Sequence, residues 1–219
     1  MDIFILLDRS GSMGSKHGFW DEAVASVNTY VEELLKQGVD PQSRLTMAVF
    51  DYYSGLQFDV LRNATPITAW RSLTPGEVLP RGGTPLLDAL MRIVTAAEAN
   101  NNPKTVVVCM TDGEENQSTE FKAPQVKTAL DRIRANGWQV VFLGADFDAI
   151  EQAVAVGVGA GQTMSTAPGH LAQAMQATAH STADYALRGT QMTYDSAARE
   201  ASGESQVLDR SKSRSKKKK

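Results

Sequence analysis

"DIFILLDRSGSMGS", residues 2–15, is the stretch from which the rest of the chain is read. Its first six residues, "DIFILL", form a short continuous apolar run, the pattern of a strand covered on both faces. The run ends in Asp8, and serines and glycines follow where a helix start would be expected. A buried strand thus delivers one carboxylate, Asp8, and two hydroxyls, Ser10 and Ser12, to its tip.

Outward from that tip, strand-length apolar runs alternate with amphipathic segments. Ala23, Val24, Val27, Val31, Leu34 and Leu35 recur at three- and four-residue spacing and predict a helix over Trp20–Gln37, stopped by Gly38. "RLTMAVF" (44–50) reads as the second strand. "GLQFDVLRN" (55–63) alternates with period two and predicts a half-exposed antiparallel edge strand. Thr84 and Pro85 predict a helix start, with Thr84 as the cap and Pro85 in the first turn. "KTVVVCMT" (104–111) and "WQVVFLGA" (138–145) read as strands, and residues 124–135, 147–156 and 169–188 as helices. A short strand is expected near Gln162–Met164. The alternation predicts an α/β fold with a doubly wound, largely parallel sheet. In such sheets, ligands bind at the carboxyl ends of strands.

That rule makes the tip a site. Asp112 stands at the carboxyl end of "VVVCMT" as Asp8 does at that of "DIFILL". If the two strands are neighbours, about 4.8 Å apart, both carboxylates share one edge. Thr84 follows "PRGG", a flexible lead that would let its hydroxyl reach the same edge. Two carboxylates and three hydroxyls, with no His or Cys, form an all-oxygen set that suits Mg²⁺, Mn²⁺ or Ca²⁺. Because the hydroxyls are neutral, a cation held there keeps its electrophilicity and can take an outside carboxylate.

"DRSGS" (8–12), Thr84 in "GGTPLLDAL" and "TDGEEN" (111–116) resemble the metal-ion-dependent adhesion site of von Willebrand factor type A domains. The D-x-S-x-S motif is matched in full, and the threonine and second aspartate follow in order, across about residues 2–188. The resemblance implies a six-stranded sheet of order 3-2-1-4-5-6, with one antiparallel edge strand and helices on both faces. It implies that Ser10, Ser12 and Thr84 bind the metal directly or nearly so. Asp8 and Asp112 would act through water, and the sixth position would go to a partner's acidic side chain or to solvent. The chain looks most like small stand-alone bacterial or bacteriophage members.

Other residues near the motif carry two readings each. Glu114 and Glu115 either sharpen the negative field or are exposed loop acids. Asp88 either accepts hydrogen bonds from the serine loop or is a surface residue. Arg9 either flanks the cation and attracts an acidic partner or lies on the surface. Asp146 reads as a helix cap. The glycines of "AVGVGAG" (155–161) lack the dinucleotide-binding spacing and follow a helix, so they read as a helix stop and turn.

Composition bounds the remainder. One cysteine, Cys109, sits in an apolar run; it excludes an internal disulfide and reads as core packing. No stretch reaches the roughly 18 apolar residues of a membrane span, and no basic leader precedes the first strand, so a cytoplasmic location is expected. The net charge is −3, but "DRSKSRSKKKK" (209–219) holds seven Lys/Arg and a single acid. We therefore expect a domain over residues 1–190 and a polar, disordered basic tail over 191–219. The tail could hold nucleic acid, the alternative function, with steep salt dependence. An enzyme is not expected: His17, His170 and His180 are the only histidines, no nucleophile elbow surrounds Ser10 or Ser12, and a two-metal nuclease would need more converging carboxylates than Asp8 and Asp112. A metal-dependent phosphoester hydrolase is the least favoured alternative.

Overall fold

The computed structural model describes residues 1–15 and 18–217, with side chains through Ser213. His17 and the last two lysines lie outside the described residues. Six strands form one sheet: β1 (Asp2–Asp8), β2 (Arg44–Tyr52), β3 (Leu56–Pro66), β4 (Thr105–Thr111), β5 (Gln139–Ala145) and β6 (Thr163–Thr166). Their order is β3-β2-β1-β4-β5-β6, and only the edge strand β3 runs antiparallel. β1 is central and buried throughout. It therefore needs apolar residues on both faces, which is what the unbroken "IFILL" run supplies.

The alternation of β1 side chains sorts the core into two layers. Ile3, Ile5 and Leu7 face α2 (Phe19–Lys36) and α6 (Leu171–Arg188); Phe4 and Leu6 face α3 (Leu86–Asn100), α4 (Ala123–Ala135) and α5 (Ile150–Ala155). Each such fully buried side chain stabilises the fold by about 1.5–3 kcal/mol. Cys109 lies in the second layer, fully buried, and desolvation pushes its thiol well above the ordinary range. One turn the sequence did not indicate, α1 (Gly11–Ser15), follows β1 directly and buries Met13.

The C-terminal segment departs from expectation. Helices α7 (Ser196–Ala201) and α8 (Glu204–Lys217) occupy the stretch whose polar composition predicted disorder. A few apolar anchors suffice: Met192 and Tyr194 enter the α2/α6 layer, and Val207 is buried. Tyr194 shares a hydrogen bond of 3.0 Å with Thr178. Asp195 caps α7 by accepting from Ala198 N–H, and Arg199 pairs with Glu204 at 2.8 Å. No helix among the described residues is long and apolar enough to cross a membrane.

Candidate metal centre

Parallel register sets the site. Leu7 pairs with Met110, so Asp8 stands one step beyond, beside Thr111. The Thr111 hydroxyl donates to Asp8 Oδ2 at 2.6 Å, and Ser10 N–H donates to Asp8 Oδ1 at 2.6 Å. Both carboxylate oxygens are thus held, and the chain is forced to turn at the strand tip. That turn aims Ser10 and Ser12 at each other, with their Oγ atoms 3.0 Å apart. Ser12 Oγ donates to Asp112 Oδ1 at 2.6 Å, a contact spanning 100 residues.

Thr84 completes the group from a third loop. It is buried, and a Cβ placed on Gly113 would stand 3.7 Å from Thr84 Oγ1 and 3.9 Å from Ser12 Oγ. Glycine at 113 therefore leaves open a cradle between these hydroxyls that any other side chain would enter. Thr84 is not the helix cap that the sequence suggested. The free N–H groups of α3 are taken from across the rim: Glu115 Oε2 accepts from Leu87 N–H at 2.9 Å, and Ser118 Oγ from Asp88 N–H at 3.1 Å. Relieved of capping, the Thr84 side chain is available to the rim. Its backbone is fixed by Asn116, whose Oδ1 accepts from Thr84 N–H at 2.9 Å and whose N–H donates to Thr84 O at 3.1 Å.

Gly82 makes this approach possible. It has a φ of 66°, and a Cβ there would lie 1.9 Å from Tyr52 O, so only glycine fits where the loop crosses the end of β2.

The electrostatics of the rim are set by Asp8. Burial pushes the Asp8 carboxyl up to about 7; the hydrogen bonds from Thr111 and Ser10 oppose that rise, and the neighbouring Asp112 adds to it. A positive charge between the buried Asp8 and the half-buried Asp112 would stabilise both carboxylates. No group of three or more His, Cys, Asp or Glu side chains converges among the described residues. Neutral hydroxyls must therefore supply most of any metal's donors. The oxygen donor set, the cradle at Gly113 and the buried carboxylate of Asp8 all fit a hard dication.

Three expectations for neighbouring residues are corrected. Arg9 neither joins the serine and threonine hydroxyls at the rim nor lies exposed. Continuation of the β1–β2 pairing, with Arg9 N–H on Phe50 O, leads its side chain over β2 to Asp51 at 2.7 Å and Asp59 at 2.5 Å. Asp88 does not serve the serine loop: its carboxylate accepts from the N–H groups of Thr119, Glu120 and Phe121 and so shapes the loop after Asp112. Asp146 caps no helix. It has a φ of 60° and pairs with Arg210 of α8 at 2.8 Å.

Glu114 is an exposed loop acid, whereas Glu115 is a staple that also accepts from Gln117 and Ser118. Thr111 and Asn116 were missed, although Thr111 is flagged in the sequence by its place at a strand end next to a motif aspartate.

A mostly parallel six-stranded sheet with polar side chains gathered at the carboxyl ends of its two central strands defines a Rossmann-like binding domain. The chain belongs to the von Willebrand factor type A domain family, whose model matches residues 2–182. Domains of this family mediate protein interactions, often through a bound metal. Among solved structures, the type V pili tip protein Mfa5 of Porphyromonas gingivalis has a domain that superposes with a TM-score of 0.69 at 13% identity, covering 86% of this chain and 97% of that one. Proximal thread matrix protein 1 of the mussel byssus superposes with a TM-score of 0.62 at 14% identity, covering 83% of this chain and 46% of that one. A further structure of that mussel protein, with a zinc-occupied metal-ion-dependent adhesion motif, gives 0.58 at 18% identity, covering 80% and 46%. The chain thus spans less than half the length of the mussel protein it matches. No curated protein matched the sequence.

Proposed function

We propose that the chain is a divalent-metal-dependent protein-binding module. Asp8, Ser10, Ser12, Thr84 and Asp112 hold Mg²⁺, with Mn²⁺ or Ca²⁺ as substitutes, and a partner's Asp or Glu completes the coordination. The observation that carries this reading is that Ser12 Oγ meets both Ser10 Oγ and Asp112, and that the Ser12 and Thr84 hydroxyls flank a side-chain-free Gly113. Oxygen donors of this kind favour hard cations. The bound cation would supply an electrophile; the protein's part is to place the hydroxyls and to keep both oxygens of Asp8 engaged from behind.

We assign the chain no catalytic role. His180 is occupied with Glu33 at 2.9 Å and His170 with Ala201 O at 2.9 Å, and neither belongs to the gathered set. A cytoplasmic location accords with the single buried thiol.

The test is retention of proteins from a host extract on immobilised full-length chain, in Mg²⁺ and in EDTA, with Thr84→Ala alongside. A partner retained only by the wild type and only with Mg²⁺ is the expected result. An identical retained set in all four conditions would refute the reading. Parallel titration with Zn²⁺ tests the alternative metal that the mussel protein's site holds.

A further inference from the structure

Beside the metal rim lies a groove of about 320 Å³, between the loop after Asp112 and α5. Leu87 and Val156, both buried, and the half-buried Phe147 form its apolar floor. Glu114 and Glu151, both exposed, stand over that floor with Asp148, and no lysine or arginine lines the groove. Elsewhere on the surface, basic side chains pair with such acids as Glu98, Glu120 and Asp131. Among the described residues, no ion pair reaches Glu114, Asp148 or Glu151, and the one hydrogen bond to this trio runs from Ile150 N–H to Asp148 Oδ1 at 3.3 Å. An apolar floor under unpaired carboxylates suits the methylene stem and charged head of a long basic side chain.

The groove and the metal rim share a wall. Gln152 of α5 accepts from Glu115 N–H at 2.6 Å and donates to Gly113 O at 3.3 Å. Gly113 is also the residue whose open Cα faces the Thr84 and Ser12 hydroxyls. Gly113 and Glu115 are two steps apart along the chain, at most about 7 Å, so cradle and groove are close neighbours. Same-face side chains of an extended segment are spaced by about the same distance. A partner strand whose Asp or Glu enters the rim therefore brings its next same-face side chain, or the one after, over the groove. We propose that the groove is a specificity subsite that takes a lysine or arginine side chain of the protein partner, two or four residues from the metal-bound acid in an extended segment. The stem lies on Leu87 and Phe147, and the charged head meets Glu114 and Glu151. This assignment rests on the metal reading for the acidic anchor and adds the basic one to it.

Selection of a random library of displayed peptides on the immobilised full-length protein tests it, in Mg²⁺ and in EDTA, with the exposed double variant Glu114→Gln/Glu151→Gln alongside. On the wild type in Mg²⁺, the enriched peptides should carry Asp or Glu with Lys or Arg two or four positions away. On the double variant, the acid should be retained and the base lost. A synthetic copy of the most enriched peptide, with its basic residue replaced by norleucine, should bind the wild type at least about tenfold more weakly. The same replacement should cost less than about twofold on the double variant, and its cost on the wild type should shrink in high salt. Acids enriched without bases, or a norleucine penalty equal on wild type and variant, would overturn the subsite and leave the metal reading standing. Bases enriched without acids, the same peptides enriched in Mg²⁺ and EDTA, or no convergent enrichment would overturn both.

Discussion

Replacing Arg9 with methionine separates a buried structural arginine from a rim residue awaiting a ligand. The side chains of Arg9 and Asp51 are 4% and 0% exposed, and their atoms are 2.7 Å apart. Removing one member of such a buried pair costs about 3–5 kcal/mol, because the remaining charge stays desolvated. Two features place the loss at the lower end. Arg81 stays on the other oxygen of Asp51 at 3.0 Å, and Asp59, 53% exposed, returns to water at little cost. We therefore expect Arg9→Met to lose about 3 kcal/mol, or a fall in Tm of about 6–12 °C for a chain of this size. Urea unfolding followed by tryptophan fluorescence in EDTA measures the loss without a contribution from metal. Because Arg9 O also accepts from Arg81 N–H at 2.8 Å, the double variant Arg9→Met/Asp51→Asn is needed to isolate the pair. It should recover at least about 1 kcal/mol of the sum of the single losses. A single-variant loss below about 1 kcal/mol would mean that Arg9 is solvated, and the account of the β2 flank would be wrong.

Glu115→Ala removes the acceptor for four donors on the α3 and Ser118 side, and should destabilise the fold by about 1–2 kcal/mol while weakening Mg²⁺ binding through displacement of Thr84; thermal unfolding and calorimetry measure the two effects. Gly113→Val fills the cradle beside the Thr84 and Ser12 hydroxyls, and should abolish calorimetric Mg²⁺ and Mn²⁺ binding with little change in the circular dichroism spectrum. Asp8→Ala should remove the same binding signal, and equal titrations of variant and wild type would count against the assigned ligands.

The residues that meet at the rim were legible because strand ends are legible. Asp8 and Asp112 each terminate an apolar run, and a parallel sheet must bring such ends to one edge. The antiparallel edge strand was legible in the period-two alternation of β3. What local pattern could not show was which distant group each polar side chain would find. Arg9 looked free because Asp51 and Asp59 lie 42 and 50 residues away. Thr84 looked like a cap because Glu115 and Ser118, which cap α3 instead, come from another loop. The order of residues 191–217 was hidden for a related reason: composition averages over the segment, whereas Met192, Tyr194 and Val207 dock individually.

The central claim is that side chains from three separate loops hold one dication. Anomalous scattering from a crystal grown in Mn²⁺ tests it most directly. The account predicts a single strong peak bounded by the oxygens of Ser10, Ser12 and Thr84, with Asp8 and Asp112 in contact directly or through one water. A rim without a peak at saturating Mn²⁺, or a peak held by other residues, would contradict it.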